Sequence, residues 1–456
     1  MHSKTRRLGE ANALLKLAGP LVINNLSIAG MHFSDAVMAG RLGAAELAAV
    51  AVGGSVWFLG LTLCLGLMMA ISPIASRLHG ARQPEMIGRY TRQGLWLAVV
   101  IGILFIALMH VLAEPLLVFV GVAVEFRDMT VGYAEAIVWG APGIVAFFAF
   151  RFTTEGIGHT RPIMYTSLLG LSANVFFNYV FMFGHFGAPA MGAVGCGVAS
   201  AITMWLMMMV LGSYIYLHPR YEPLEIFRRV SSLRLPVLKE IFVLGMPIAV
   251  TITAEAGLFS AVSILVGTRG PDITAAHQIA LNFASTMFMI PLAFSSATTI
   301  RIGHALGAGD PRGARFAGFT GILICAGFMA ISALFLLVFR DAVVSMYTSD
   351  TSVQAIAISM LLMAAIFQVA DGVQIGAAGA LRGFKDTRMP MVINMFAYWA
   401  LAFPLSYLAA VTFQSPPSHI WGGFVIGLTA AAAMLTVRFN RVSRIDHETR
   451  QELASL

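Results

Sequence analysis

Twelve stretches of this chain each run for most of a membrane's thickness with scarcely a charge in them. They cover roughly 14–39, 47–76, 92–113, 130–151, 163–185, 192–217, 241–267, 274–300, 316–339, 354–381, 389–411 and 420–438. A helix needs about 20 apolar residues to cross the hydrocarbon of a bilayer. Inside lipid every backbone N–H and C=O must find a partner within the protein, so only helices and closed barrels can span it. The alternation of period two that a barrel wall requires is absent. With 58% of its 456 residues hydrophobic, 11% charged and a mean hydropathy of +0.81, the chain is not a soluble globular protein. The fold class left is an all-α membrane protein of twelve transmembrane helices. Several spans are longer than a crossing needs, which implies tilt or projecting ends.

The twelve spans are two sets of six. Sliding the chain by 227 positions places Leu17 on Leu244, Pro20 on Pro247, Gly30 on Gly257 and Gly43 on Gly270. The same shift carries Gly80-Ala81 onto Gly307-Ala308, Pro84 onto Pro311 and Thr160-Arg161 onto Thr387-Arg388. So long a period marks two fused half-molecules, not a solenoid. Six spans is an even number, so both halves enter the membrane the same way round, as a parallel repeat. The expected organisation is an N-lobe at 1–217, a polar linker at 218–240 carrying Pro219, Pro223 and Pro236, a C-lobe at 241–440 and a tail at 441–456.

Charge sets the orientation. Of the 29 Lys and Arg residues, 25 fall on the tails and on the connections after even-numbered spans. Only Arg41, Arg127, Arg269 and Arg340 fall on the other side. That asymmetry predicts cytoplasmic termini. It also accounts for the net charge of +7 without nucleic acid, because the basic residues are spread over short loops. The first apolar run is long and lacks a convincing cleavage site, so it reads as a retained helix. Cys64, Cys196 and Cys325 lie in apolar runs with no ligand spacing and are expected to be inert packing residues.

Of 22 acids, three lie well inside spans: Asp35, Glu255 and Asp371. A carboxylate in lipid costs at least a few kcal/mol unless it is protonated, paired or facing water. No Lys or Arg is expected deep in a span to pair with these three, which favours cation or proton binding over a static ion pair. Under the 227 shift Glu255 falls on Ile28, seven residues before Asp35. Seven residues is about two turns, so the two acids leave the same face of related helices. Amides accompany them. Asn24 and Asn25 share a helix with Asp35; Asn174 and Asn178 lie one turn apart, as do Gln278 and Asn282; Gln368 and Gln374 flank Asp371. Carboxylate and amide oxygens are hard ligands that suit a small cation; interhelical hydrogen bonding is the plainer use of such amides.

Pro20, Pro142, Pro247, Pro291 and Pro404 lie inside spans and permit kinks, with Pro20 the best candidate for a bend that changes during transport. His79, His277 and His304 read as packing or helix-end residues, with His277 the one to test as a proton acceptor. The 26 Met and 32 Phe offer adaptable apolar surface, a minority of it suited to flat hydrophobic cations. The string GAGDPRG at 307–313 lacks the ending of a phosphate loop, and neither metal spacing nor a nucleophile–base set is visible, so an enzyme is not expected.

Several strings resemble the multidrug and toxic compound extrusion (MATE) transporters, and their NorM-like branch best. They are Pro20…Asp35…Met38-Ala39-Gly40-Arg41-Leu42-Gly43, Gly195-Cys196-Gly197-Val198-Ala199, and Ala380-Leu381-Arg382-Gly383-Phe384-Lys385-Asp386-Thr387-Arg388-Met389-Pro390. The likeness spans essentially the whole chain. It implies a two-lobed antiporter of the bacterial inner membrane, with its lobes in a V, exporting organic cations and drugs in exchange for sodium or protons. It implies an N-lobe cation or proton site at Asp35, Asn174 and Asn178. The C-lobe site would be Glu255 and Asp371, with Gln278 and Asn282 alongside. Asp350 matches a substrate-contacting acid of the family, and Phe367 and Met287 go with it. Some relatives carry an acid at the position of Asn178 and an aromatic hydroxyl at that of Phe367, so sodium and protons both stay open. The expectation is a monomer in membrane lipid, with no cofactor and no nucleic acid. The rival reading, a lipid or lipid-linked-sugar flippase, would call for an Arg-rich cavity.

Overall fold

The structure is a computed structural model. It describes residues 2–228 and 231–455, with side chains described at 8–119, 121–228 and 231–444. The side chains of Lys4, Arg6, Arg7 and Arg450, and all of Arg229, therefore lie outside the described residues.

Among the described residues, twelve helices are long and apolar enough to cross a membrane. They are Leu8–Leu42, Ala44–Gly80, Pro84–Phe119, Val124–Gly156, Arg161–Phe183, Gly192–Leu217, Leu235–Gly267, Pro271–Gly307, Pro311–Ser345, Thr351–Gly383, Arg388–Thr412 and Pro417–Arg444, numbered here as spans one to twelve. Most run several residues beyond their apolar stretch at one or both ends. The helix of span twelve continues to Ser455 and takes up most of the expected tail.

Local chemistry sets the boundaries. Pro84, Pro162, Pro271 and Pro311 stand in the first turn of their helices, where a missing N–H costs nothing. Gly121 and Gly184 close spans three and five in the left-handed conformation. Gly43 alone separates spans one and two, at φ 149°, and its repeat mate Gly270 precedes span eight at φ 111°. A side chain would be strained at either position.

Not every span is a plain α-helix. Span two is interrupted by a turn at Met69–Ala70, and span four passes through a 3-10 turn at Val138–Gly140 just before Pro142. Span eleven contains two π-helical stretches, Phe396–Ala402 and Leu408–Thr412, on either side of Pro404. Pro20, Pro247 and Pro291 sit within unbroken helix.

The chain forms two compact units. One comprises residues 23–249, the other 1–22 together with 250–456. Each break comes two residues after a proline, Pro20 or Pro247, and the breaks are 227 residues apart, the period of the repeat. The opening of span one is fixed within its unit by a two-point ion pair. Arg301 Nε and Nη2 each meet a Glu10 carboxylate oxygen at 2.8 Å. The opening of span seven is fixed within the 23–249 unit by a hydrogen bond from the Tyr90 hydroxyl to Glu240 and by packing of Ile241 against Ala70 and Ile74.

Within the 23–249 unit, span five lies along span six, and spans four and six meet at Gly197, where a Cβ would sit 2.7 Å from Tyr133 O. The segment after span six is tied to span three. Arg92 Nη1 donates to Glu225 O at 2.6 Å, Gln93 Nε2 to Ser232 O at 3.0 Å, and Trp96 Nε1 to Ser231 O at 3.0 Å. In the other unit, span ten is the central stave, packed against spans eight, nine and twelve. Small residues allow this approach: a Cβ at Gly379 would sit 2.5 Å from Ser295 O. Ser295 Oγ and Thr299 Oγ1 donate to Ile375 O and Gly379 O, each at 2.7 Å, and lock spans eight and ten in register.

Candidate functional site

Each unit buries a set of acids and amides. In the 23–249 unit, Asp35 of span one is buried against span five. Asn178 Nδ2 donates to Asp35 Oδ1 at 2.6 Å and is 3.3 Å from Asn174 Oδ1. Asn174 and Asn178 are both buried, one turn apart as their spacing predicts. Asn178 Oδ1 has no hydrogen-bond partner in the protein. Cys196 and Tyr133 both stand within electrostatic reach of Asp35. Cys196 is buried beside this polar cluster. Cys64 and Cys325 are buried among apolar helices as expected.

The expectation that no basic side chain lies deep in a span is corrected. Arg151, placed by sequence at the end of span four, lies inside a helix that runs on to Gly156, and is buried. With its amide oxygen turned toward the guanidinium, Asn24 accepts from Arg151 Nη2 at 3.2 Å. Glu155, one turn on, is buried and acts on Arg151 through space. Asn24 thus serves a buried cation, not Asp35.

In the other unit Glu255 comes from span seven and Asp371 from span ten. Asp371 is buried, Glu255 half-buried, and each lies in the field of the other. Arg382, near the end of span ten, also acts on Glu255 through space. Tyr398 of span eleven is wholly buried within reach of both acids and accepts a hydrogen bond from Gln374 Nε2 at 3.0 Å. Sequence reasoning missed Tyr398. Nothing in its immediate neighbourhood marks it, and only the pairing of span eleven with spans seven and ten brings it in. Gln368 turns elsewhere, accepting from Ser332 Oγ at 3.2 Å.

The remaining candidates are placed as follows. Gln278 and Asn282 are on an exposed face of span eight, and Asn282 Oδ1 accepts from the Tyr347 hydroxyl at 3.0 Å. Asp350 caps span ten: its Oδ1 accepts from Ser352 N and Ser352 Oγ, both at 2.8 Å. These bonds hold its carboxyl below the usual carboxylate range. Phe367 is core, its ring 5.6 Å from that of Trp421 and 6.2 Å from that of Phe424, and Met287 packs at the edge of the same core.

His277 does not stand ready to take a proton. Trp421 Nε1, which can only donate, bonds its Nδ1 at 3.1 Å. Nε2 therefore keeps the hydrogen and gives it to Ser263 Oγ at 2.8 Å, which donates onward to Phe259 O at 2.9 Å. The chain of bonds ties spans seven, eight and twelve together.

Twelve bilayer-length helices in two repeats, each unit burying acids among amides on different helices, are the architecture of a multi-span membrane transporter. A family model described as MatE matches residues 20–180 and 247–408, beginning on the two equivalent prolines. The chain belongs to the MatE family. Multidrug resistance protein PmpM of Pseudomonas aeruginosa is 39% identical over 95% of this chain and 92% of its own length. The probable multidrug resistance protein NorM of Xanthomonas campestris pv. campestris is 40% identical over 94% of this chain and 93% of its own. Multidrug resistance protein MdtK of Edwardsiella ictaluri is 37% identical over 95% and 96%. Among solved structures, a MATE in complex with MaD3S shares the fold with a TM-score of 0.88 at 20% identity, covering 96% of this chain and 97% of that one. The eukaryotic MATE transporter AtDTX14 gives 0.84 at 20% identity, covering 97% and 99%.

Proposed function

We propose that this chain is a multidrug efflux antiporter of the bacterial inner membrane, with both termini in the cytoplasm. It exports hydrophobic organic cations by alternating access, in exchange for sodium ions or protons, and works as a single chain. The named relatives support the substrate class, and the 25-to-4 division of basic residues supports the orientation. The duplicated halves, 1–217 and 241–440, are its two lobes, and 218–240 their linker.

The observation that carries the reading is the acid pair Glu255 and Asp371, held on separate helices within one unit and close enough to feel each other. Two carboxyl groups in a low dielectric resist being ionised together. A mobile cation or a proton relieves that conflict, and its departure restores it. The cluster of Asp35 with Asn174 and Asn178 offers a second seat of the same chemistry. Cation entry at these acids and drug binding oppose each other, so each expels the other.

The test is ethidium efflux from proteoliposomes under separately imposed sodium and pH gradients. Glu255→Gln and Asp371→Asn are each expected to cut ion-driven efflux by about tenfold or more, the loss of an interaction of roughly 1.4 kcal/mol or more. Efflux at the wild-type rate in both variants under both gradients would refute the assignment.

A further inference from the structure

Span three carries the edge of the membrane on its own surface. Its outward strip runs through Val100, Ile103 and Leu104, each more than half exposed, and reaches Trp96 one turn earlier. The next two turns of that face carry Arg92 and Arg89. A helix face that passes from aliphatic residues to Trp and then to Arg is crossing from hydrocarbon into headgroups.

The segment between the repeats is pinned at that level, within the 23–249 unit. Trp96 Nε1 donates to Ser231 O and Gln93 Nε2 to Ser232 O, each at 3.0 Å. The Arg234 N–H donates to Gln93 Oε1 at 2.8 Å. Arg234 O accepts from Val237 N and Leu238 N, both at 3.1 Å, where span seven opens. The backbone of Arg234 is thus held on both sides. Its side chain is exposed, and its guanidinium bonds to none of the described residues. Its neighbours Leu233 and Leu235 are 47% and 73% exposed. Arg89, one turn before Gln93, is half-buried, and its guanidinium also bonds to none of the described residues. Two acids of the segment are engaged elsewhere. Glu222 pairs with Arg228 at 2.7 Å, and Glu240 accepts from the Tyr90 hydroxyl.

We propose that Leu233, Arg234 and Leu235, with Arg89 and Trp96, form a seat for one anionic phospholipid. The guanidinium groups of Arg234 and Arg89 take the lipid phosphate, since an arginine fork suits phosphate oxygens. Leu233, Leu235 and the Trp96 ring lie against the upper part of the acyl chains, where an amphipathic ring belongs. Two uncommitted cations set between exposed apolar side chains match a ligand that is negative at one end and oily at the other. A zwitterionic lipid carries an amine of its own, which offsets the attraction, so the seat favours a lipid of net negative charge such as phosphatidylglycerol. Because the bonds from Gln93 and Trp96 fix the backbone beforehand, little ordering is left to oppose binding.

The experiment uses the full chain in detergent. Native mass spectrometry counts retained lipid while phosphatidylglycerol and phosphatidylethanolamine are added in varied ratio. The wild type is expected to retain one phosphatidylglycerol in preference to phosphatidylethanolamine. Arg234→Gln should weaken that binding by about fivefold, and the double variant with Arg89→Gln by about twenty-five-fold, at roughly a fivefold effect per basic residue near a membrane surface. Leu235→Asn should weaken it as well, and serves if the arginine variants fail to fold. Arg441→Gln removes an exposed cation from the other unit and should change nothing. Inorganic phosphate at about hundredfold excess should not displace the lipid, because it has no chains to bury. Equal retention of the two lipids overturns the proposal. So does wild-type binding in the double variant, or in Leu235→Asn where the arginine variants do not fold. An equal loss in Arg441→Gln would mark diffuse attraction, and displacement by phosphate would mark a bare anion site; either sinks the lipid seat.

Discussion

His277 shows how much one buried donor can decide. Trp421 gives its single N–H to Nδ1, and that fixes the tautomer, the direction of the Ser263 bond and the silence of the imidazole as a base. Trp421→Phe keeps an aromatic ring but strands Nδ1 in the core. The cost of an orphaned buried acceptor is about 1–3 kcal/mol, and the lost indole volume adds to it. A lower melting temperature in detergent is the expected result. If instead Trp421→Phe melts with the wild type, the bond contributes nothing. Cys196 and Arg151 make a complementary point about reading single residues. Asp35, Asn174 and Asn178 were legible because acids and amides in apolar runs stand out, and their one-turn spacing placed them on a common face. The nearness of Cys196 to the field of Asp35 depends on how spans one and six are placed, and nothing local distinguishes it from Cys64 or Cys325. Arg151 looked like a loop residue because the apolar run ends there, whereas the helix continues another turn to Gly156.

Among the elements, the segment between the repeats packs against a histidine whose burial makes the contact sensitive to pH. His159, in the turn after span four, lies 3.3 Å from the Tyr221 hydroxyl, and its ring is 5.6 Å from that of His218. Burial, with Arg220 beside it, holds its imidazole down to about 4, against an ordinary value near 6.5. Burial pushes the Tyr221 phenol up to about 12, so both groups are neutral in the folded protein at neutral pH. For a base with a depressed folded value, the unfolded chain binds the proton first. Stability from this contact is therefore present above about pH 6.5 and is lost as pH falls toward about 4. Melting curves from pH 7.5 to 4.5 should show a steeper decline for the wild type than for His159→Gln; parallel declines would remove His159 as the cause. The twelve helices themselves were plain from hydropathy, because a bilayer asks for a length and a composition and little else. The 3-10 turn before Pro142 and the π turns around Pro404 carry a visible proline. The interruption at Met69–Ala70 and the reach of the π stretch over Phe396–Ala402 carry no such residue.

At the scale of the whole molecule, the 227-residue period predicts more than a count of spans. The same shift relates Pro20 to Pro247, Gly43 to Gly270, the two family matches by their first residues, and the two breaks between compact units. The breaks also mean that neither compact unit is made from one repeat alone. Residues 1–22 complete the unit built on spans eight to twelve, and residues 235–249 complete the one built on spans two to six. Cutting the chain at 228 should then give fragments that fold well only when produced together, each alone lacking a helix opening. Co-expression in membranes, followed by purification on a tag carried by one fragment, tests this; a stable 1–228 fragment isolated without its counterpart would count against it.

The traded helix openings also bear on how the halves depend on each other. A six-span half with this packing, made as a separate chain, would have to lend its amino-terminal arm to a twin and borrow one in return. Such a pair is a domain-swapped dimer, whose partners depend on each other for completion. One continuous chain removes the need for such partners to find each other, because each opening is already tethered to the unit it completes.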